Sequence, residues 1–297
     1  MKLRHFVSAL AVLCFSCFAC AAGSPYGTPD TLKAELKEGD DLSFSNDGVE
    51  LTNVSNLSNA LFAPPHKEGD KFPALVIFHT CGGISEHLKV WTEAALNAGY
   101  VVLVPDGMRG FGNNCTSPPK VPNARLIKDA LDGVAHLAKL PYVDTHRISV
   151  LGFSQGAFVA TWLASSNVAK SIRPETPAIA STIAAYGFCG LAPSRGRPNG
   201  AVILQPDTDR PLLMLLGGKD NETPPDSCLE ALPNLKSAGA PVQWHLYPDA
   251  THAWDAKEKD GFTKTAYNNK QVTYIYDKGV TEDSMKRVFE FLAQASK

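Results

Sequence analysis

Hydrophobic residues follow two alternating patterns along the chain from about Leu51 onward. Short, continuous apolar runs, such as residues 74–78 and 100–104, predict strands that are covered on both faces. Between these runs, apolar residues recur three and four positions apart, as in residues 126–137, and this spacing predicts amphipathic helices. Strands that alternate with helices indicate an α/β domain with a mostly parallel central sheet flanked by helices.

The same patterns give the order of the elements in the chain. Strands are predicted at residues 57–62, 74–78, 100–104, 147–151, 179–186, 211–216 and 242–247. Helices are predicted at residues 85–99, where Ser85 is the candidate N-cap, and at residues 126–137, 156–165, 228–238 and 280–295. The segment 192–209 is rich in Pro, Gly and Arg, and it is either an excursion on the active-site side of the sheet or a surface loop.

The N-terminal residues have the composition of a secretory leader. Two basic residues precede an apolar run at residues 6–18, which is too short to span a bilayer as a permanent helix, and residues 19–21 have the small-x-small pattern of a cleavage site. We therefore expect residues 1–22 to be a signal peptide and residues 23–297 to be a single exported domain, periplasmic or secreted, with no stable membrane span. An uncleaved anchor and a lipoprotein acylated at Cys20 are the alternatives.

The overall composition excludes several classes of partner. The chain has 297 residues, 44% hydrophobic and 20% charged, which is ordinary for a globular protein. Its formal net charge of −2 provides no basic surface for nucleic acid and no polybasic signal for an anionic membrane. The mature chain contains no HExxH motif, CxxC pair or EF-hand loop, so we expect neither a metal site nor a cofactor.

The cysteines of the mature chain predict disulfides. Three of the seven cysteines fall in the expected leader, which leaves Cys81, Cys115, Cys189 and Cys228. An even number in an exported domain suggests two bonds. The first two cysteines follow successive predicted strands, and so do the last two, so we expect the bonds Cys81–Cys115 and Cys189–Cys228. The two other pairings, and four buried free thiols, are the alternatives.

Residues 152–156 read Gly-Phe-Ser-Gln-Gly and match the motif G-x-S-x-G between a predicted strand and a predicted helix. A serine on so sharp a turn has a strained backbone, and glycine at the flanking positions removes side chains that would clash. The turn places the hydroxyl at a helix N-terminus, where developing negative charge is stabilised. Ser154 is therefore the candidate nucleophile, and Gly152 and Gly156 form its elbow.

A serine nucleophile needs a base, and the base needs a carboxylate that orients it. Where this motif occurs in such a sheet, the order along the chain is Ser, acid, His. His252 lies just beyond the last predicted strand, whereas the other histidines of the mature chain lie before the core, on helices, at or inside strands, or before the nucleophile. Asp220 follows the predicted strand 211–216 and is the expected acid, with Glu222 and then Asp226 as competitors.

A tetrahedral intermediate needs two hydrogen-bond donors aimed at its oxygen. The backbone N–H of Gln155, the residue after the nucleophile, is the first candidate. The second comes from the loop after residue 78, where two glycines at residues 82–83 permit a close backbone approach or simply form a turn. We expect the Cys81 N–H to be this donor, with the Thr80 N–H as the alternative.

Several segments together resemble the dienelactone hydrolase family of α/β-hydrolases. They are residues 79–83, 143–148, 152–156, 218–220 with Thr223, Pro224 and Cys228, and 247–254. The resemblance covers residues 57–292 and implies an α/β-hydrolase fold. It differs in that the named dienelactone hydrolases use cysteine as nucleophile where this chain has Ser154, and this difference points to a general ester or lactone hydrolase.

These residues predict a serine hydrolase that cleaves a small-molecule carboxylic ester or lactone through an acyl-enzyme, without a cofactor. Peptide hydrolysis is the first alternative, because the same triad serves peptidases on this fold. No separate propeller or long lid segment favours it. A non-catalytic binding protein on a hydrolase scaffold is the second alternative, and the complete Ser, Asp and His set argues against it.

Overall fold

The computed structural model describes residues 29–116, 119–191, 200–266 and 269–295. The expected leader, residues 1–22, lies outside the described residues, as do the first eight residues of the segment 192–209. Among the helices in the described residues, none is both long and apolar enough to cross a membrane.

The described residues contain eleven strands and seven α-helices. The strands are β1 (Ala60–Phe62), β2 (Phe72–Phe78), β3 (Val101–Val104), β4 (Val143–Phe153), β5 (Ser181–Ala185), β6 (Gly190–Leu191), β7 (Ala201–Val202), β8 (Leu212–Gly217), β9 (Val242–Tyr247), β10 (Thr263–Thr265) and β11 (Gln271–Thr273). The helices are α1 (Pro29–Ala34), α2 (Glu86–Asn97), α3 (Asn123–Leu137), α4 (Gln155–Trp162), α5 (Ser166–Ile172), α6 (Asp226–Ser237) and α7 (Lys278–Ala295).

Seven of the strands form the main sheet, in the order β1-β3-β2-β4-β5-β8-β9. Neighbouring strands are parallel except for β1 and β3, which pair antiparallel at one edge. The other strands form two antiparallel hairpins, β6–β7 and β10–β11. The predicted mostly parallel sheet with flanking helices is confirmed. Because β2, β4, β8 and β9 run in the same direction, the loops that follow them emerge at one end of the sheet.

Successive residues of the central strands point to opposite faces of the sheet. In β2, Leu75 and Ile77 belong to the core shared with α2 and α7, whereas Val76 and Phe78 belong to the core shared with α3 and α4. All four side chains are buried. A strand covered on both faces has a continuous apolar sequence, which is why the hydrophobic pattern identifies it.

Three of the differences between the structure and the sequence prediction have a clear physical cause. The first strand begins at Ala60 rather than at residue 57, because Asn59 has a φ of 54° and turns the chain. Ser85 holds the N-cap position of α2, but its hydroxyl lies 2.8 Å from His87 Nδ1 and does not cap the backbone. The hairpin β10–β11 was not predicted, because its strands are three residues long, polar and mostly exposed.

Two disulfides join loops at the carboxyl ends of the strands. Cys81 is bonded to Cys115 and Cys189 to Cys228, which is the pairing that the sequence predicts. The first bond connects the loop after β2 to the loop after β3, and its Cys115 is exposed. The second bond connects the loop after β5 to α6, and both of its residues are buried.

We expect the Cys189–Cys228 bond to stabilise the fold. It links residues 39 positions apart, and a restriction of the unfolded chain on this scale contributes about 2–4 kcal/mol. The double variant Cys189→Ala/Cys228→Ala should therefore unfold at a lower urea concentration than the parent protein. The matched double variant at Cys81 and Cys115, which are 34 positions apart, should show a loss of similar size. Unchanged midpoints, or four alkylatable thiols in the unreduced parent, would contradict this expectation.

Candidate active site

Ser154 stands on the turn between β4 and α4, with φ 53° and ψ −110°. This left-handed conformation is strained for a residue with a side chain, and close packing around the turn maintains it. A Cβ on Gly152 would lie 1.9 Å from the carbonyl oxygen of Gly156, and a Cβ on Gly156 would lie 2.4 Å from that of Phe78. Glycine is therefore required at both positions, and the turn sits directly against the end of β2.

The three residues expected to form a triad are brought into hydrogen-bond contact. His252 Nε2 lies 2.9 Å from Ser154 Oγ, and His252 Nδ1 lies 2.7 Å from Asp220 Oδ2. These distances correspond to a serine hydroxyl that donates to Nε2 and an Nδ1–H that donates to the carboxylate. All three residues are at least 95% buried. Asp220, rather than Glu222 or Asp226, contacts Nδ1.

The Asp220 carboxylate is fixed by the turn that follows it. Its Oδ1 accepts the backbone N–H groups of Glu222 at 2.9 Å and Thr223 at 2.7 Å. The Thr223 hydroxyl donates to Oδ2, the oxygen that also contacts His252. Thr223 was not among the site residues predicted from the sequence. An aspartate side chain can accept the N–H groups two and three residues further on, as in an Asx turn. The spacing of Asp220 and Thr223 is therefore the sequence signal that could have found this contact.

Backbone contact sets the separation of the acid loop and the histidine loop. A Cβ on Gly218 would lie 2.3 Å from the carbonyl oxygen of Pro248, and a Cβ on Gly217 would lie 2.7 Å from that of Ala250. The Lys219 N–H also donates to the Ala250 carbonyl at 3.0 Å. The two loops are therefore packed backbone to backbone, which holds the carboxylate within reach of the imidazole.

The histidine loop is held by aromatic packing and by the C-terminal segment. The Tyr186 ring meets the His252 ring edge-on at 4.9 Å, and its hydroxyl donates to buried Asp255 at 2.8 Å. The carbonyl oxygen of Trp254, two residues after His252, accepts the Asp277 N–H at 2.9 Å and the Thr281 hydroxyl at 3.2 Å. The Tyr186 ring thus orients the imidazole, and the contacts of Trp254 with the start of α7 hold the histidine loop in place.

The loop after β2 is held next to Ser154 by His79 and by a disulfide. The Gly107 N–H donates to His79 Nε2 at 2.9 Å, so His79 carries its proton on Nδ1, which donates to the Thr80 carbonyl at 2.7 Å. Burial lowers the pKa of His79, which favours this neutral form. The Asn114 N–H donates to the Cys81 carbonyl at 2.7 Å, beside the disulfide.

The electrostatic surroundings of His252 act in opposite directions on its pKa. Burial lowers it, because the charged form loses its hydration, but the adjacent Asp220 carboxylate and its hydrogen bond raise it, with a further contribution from Glu222. The net effect is a pKa above the ordinary value for histidine. The imidazolium is therefore stabilised in this site relative to its stability in water.

A second group of polar residues lies beside the imidazole. Glu222 Oε2 is 4.0 Å from His252 Nε2, the nitrogen that faces Ser154. Lys264 of β10 contacts Glu222 Oε1 at 2.8 Å, and the Tyr274 hydroxyl donates to Glu222 Oε2 at 2.6 Å. The pKa of Glu222 would be raised by burial, but His252, Lys264 and Tyr274 together lower it below its usual value. Neither Lys264 nor Tyr274 was among the residues selected from the sequence.

A cavity of about 230 Å³ opens onto Ser154. Its lining also includes both candidate oxyanion donors, Cys81 and Gln155. The lining contains the polar residues Asn114 and Asn123 and the apolar residues Phe158, Phe188 and Leu191. In the described residues there is no group of three or more His, Cys, Asp or Glu residues arranged to hold a metal ion.

The sequence profile of the dienelactone hydrolase family matches residues 58–296, which is most of the chain. The chain belongs to the dienelactone hydrolase family. The resemblance inferred from the sequence motifs is therefore confirmed. The α/β-hydrolase fold and the class of carboxylic ester or lactone hydrolase are confirmed with it.

The alignments of this dienelactone hydrolase family member with its relatives cover most of its length. A protein of Salmonella typhimurium that is named as a carboxymethylenebutenolidase is 26% identical over 245 residues, which cover 79% of this chain and 82% of the relative. A solved structure from Klebsiella pneumoniae, described as a dienelactone hydrolase, has a TM-score of 0.59 and 23% identity over 78% of this chain and 90% of that one. The carboxylesterase Cest-2923 of Lactobacillus plantarum has a TM-score of 0.56 and 15% identity, with 80% and 92% covered. The two structures show the shared fold.

We expect Gly156→Ala to disable this site. The added Cβ would meet the carbonyl oxygens of Phe78 and His79 at 2.4 and 2.7 Å, so the turn that carries Ser154 must move away from β2. A displacement of about 1 Å can lower turnover roughly 100-fold, and p-nitrophenyl acetate hydrolysis would measure the loss. Gly48→Ala is the matched control, because its Cβ would meet only an ordinary contact at 3.8 Å. Equal activity of the two variants would contradict the packing argument.

A further expectation concerns the protonation of His252. Titration of its ring signals by NMR should give a pKa above about 6.5, the ordinary value. Asp220→Asn removes the charge that offsets burial, so the pKa should fall and the ring should stay neutral to lower pH. A pKa that is unchanged or raised in Asp220→Asn would show that the carboxylate does not control this imidazole.

Proposed function

We propose that the protein hydrolyses small carboxylic esters or lactones through an acyl-enzyme, with Ser154 as nucleophile, His252 as base and Asp220 as the orienting carboxylate. The observation that carries this proposal is the continuous chain of hydrogen bonds from Ser154 Oγ through both nitrogens of His252 to Asp220, at 2.9 and 2.7 Å, beside a cavity. Such a chain removes the proton of a hydroxyl that is a weak nucleophile by itself.

Acylation follows from this geometry. Ser154 Oγ attacks the carbonyl carbon of the substrate while His252 Nε2 takes the hydroxyl proton. The carbon–oxygen bond to the leaving alcohol then breaks, and the imidazolium returns its proton to that alcohol. In a lactone the alcohol remains attached to the acyl group as part of the same molecule. Asp220 stays ionised and stabilises the positive charge that His252 carries between the two steps.

The oxyanion is assigned to the backbone N–H groups of Gln155 and Cys81. Gln155 is the first residue of α4, so its N–H has no acceptor within the helix and lies at the positive end of the helix dipole. Cys81 lies in the loop held by His79, Asn114 and the disulfide, so a donor there is fixed before substrate binds. Fixed donors stabilise the developing charge without reorganisation during the reaction.

The size and lining of the cavity support a small substrate. A cavity of about 230 Å³ is below the usual range for drug-sized ligands, roughly 300–1,000 Å³. Phe158 and Phe188 stack at 5.1 Å and provide an apolar wall for an acyl or alcohol group. The relatives named as carboxymethylenebutenolidases, by that name lactone hydrolases, add support for an ester or lactone bond over a peptide bond.

We also propose that the protein acts outside the cytoplasm, after removal of residues 1–22. The two disulfides support this location, because such bonds form and persist mainly in oxidising compartments. The sequence of the N-terminus, with its basic residues and short apolar run, provides the second argument. N-terminal sequencing of the protein recovered from the periplasm or the medium would test it.

Variants of the proposed triad provide the main test. Ser154→Ala and His252→Ala should each lower kcat for p-nitrophenyl acetate by at least about 1,000-fold, and the double variant should lose little more, because the residues act as a unit. A fluorophosphonate probe should label the parent protein at Ser154 and leave Ser154→Ala unlabelled. Near-normal turnover in either single variant would contradict the assignment.

The bond that is cleaved needs a separate measurement. We expect higher kcat/KM for aryl and alkyl esters and lactones than for peptide anilides with the same acyl group. His146→Ala, a replacement on the exposed first part of β4, serves as a control that keeps the triad intact. A preference for the anilides would favour a peptidase.

A further inference from the structure

The carboxylate of Glu222 faces the catalytic side of the imidazole. Its Oε2 is 4.0 Å from His252 Nε2, whereas Asp220 contacts Nδ1 on the other side of the ring. Glu222 also lines the same cavity as Ser154. A group on this side of the ring is placed where the second reactant of a hydrolysis, a water molecule, has to approach.

Among the described residues, groups from outside its own loop hold the carboxylate in place. Lys264 on β10 contacts Oε1, and Tyr274, just after β11, donates to Oε2. The hairpin β10–β11 therefore supplies a cation and a hydroxyl that keep Glu222 ionised although it is 95% buried. A carboxylate has about four acceptor positions, so the bonds from Lys264 and Tyr274 are compatible with a further bond to water.

The distance between Glu222 Oε2 and His252 Nε2 suits one bridging water. A water that donates two hydrogen bonds of about 2.8 Å, at about 105° to each other, spans roughly 4.4 Å between its acceptors. The observed separation is 4.0 Å, which needs an angle only slightly smaller. Ser154 Oγ, which carries the acyl carbon in the acyl-enzyme, lies 2.9 Å from Nε2. The water oxygen would then lie on the same side of the ring as this Oγ.

We propose that Glu222 positions the water that hydrolyses the acyl-enzyme, an inference that rests on the proposed function. One water proton is donated to Nε2 and the other to Glu222. As the water oxygen forms its bond to the acyl carbon, the first proton passes to His252. The bond from that carbon to Ser154 Oγ then breaks, His252 returns the proton to Oγ, and the acid leaves. Glu222 accepts a hydrogen bond throughout and gains no proton.

Acylation does not require this water, so Glu222 should affect the two halves of the reaction unequally. With p-nitrophenyl acetate, Glu222→Gln should form the acyl-enzyme at a rate within about 3-fold of the parent and hydrolyse it about 10-fold more slowly. A burst of p-nitrophenol followed by a slow steady state would result. Intact-mass measurement should then show acetylated protein.

Methanol provides a readout that a merely structural role would not change. It has one hydroxyl proton, so it can donate to His252 but cannot bridge to Glu222. In a water–methanol mixture, the ratio of methyl acetate to acetic acid should therefore rise about 10-fold in Glu222→Gln relative to the parent. Glu222→Asp keeps the charge but shortens the reach, so it should raise the ratio in the same direction, and it serves if Glu222→Gln does not fold.

The matched control is Glu258→Gln. It removes one carboxylate charge near the same histidine loop, but Glu258 contacts His87 and not His252. Its product ratio should equal that of the parent. If the ratio is unchanged in the Glu222 variants, or if acylation and deacylation slow equally, the role of Glu222 is overturned while Ser154 acylation stands. If the parent protein forms no acyl-enzyme at Ser154, the proposed function itself fails.

Discussion

Close backbone contact between loops at the carboxyl ends of four strands is the constraint on which the rest of the site depends. Gly152 lets the serine turn close against Gly156, Gly156 brings that turn against the end of β2, and Gly218 brings the acid loop against the loop after β9. A side chain at any of these positions would separate groups that must meet within hydrogen-bond distance. The sheet supplies the direction of the loops, and the missing Cβ atoms supply their separation.

Burial gives this arrangement both its strength and its cost. Asp220, Glu222 and His252 are all buried. An isolated charge would be strongly destabilised in such a buried position. Each is therefore surrounded by donors or opposite charges, which the chain provides from the turn at Thr223, from Lys264 and from Tyr274. Electrostatic effects are stronger in such surroundings than in water, so the same groups that satisfy the charges also set the basicity of the imidazole.

The sequence was sufficient for the features that depend on local pattern. The central strands were identified because they are covered on both faces, and Ser154 because its turn tolerates only glycine at two flanking positions. His252 and Asp220 followed from the strand ends and the order along the chain. The hairpin β10–β11 was missed because its short polar strands have no apolar period, although it carries Lys264 next to the site. Thr223 was quoted for the family resemblance, but its contact with Asp220 was not predicted because it depends on the geometry of a turn.

The position of the histidine loop after the outermost strand has a mechanical consequence. In the part of the chain that the structure describes, strand β9 pairs on one side only, whereas Ser154 stands at the end of β4 in the middle of the sheet. The carbonyl of Trp254 accepts hydrogen bonds from the start of α7, so this helix holds the histidine loop at the edge of the sheet. Proteins open locally in units smaller than the whole domain. The contacts that hold the imidazole thus belong to the edge of the sheet, whereas Ser154 belongs to a strand that is paired on both sides.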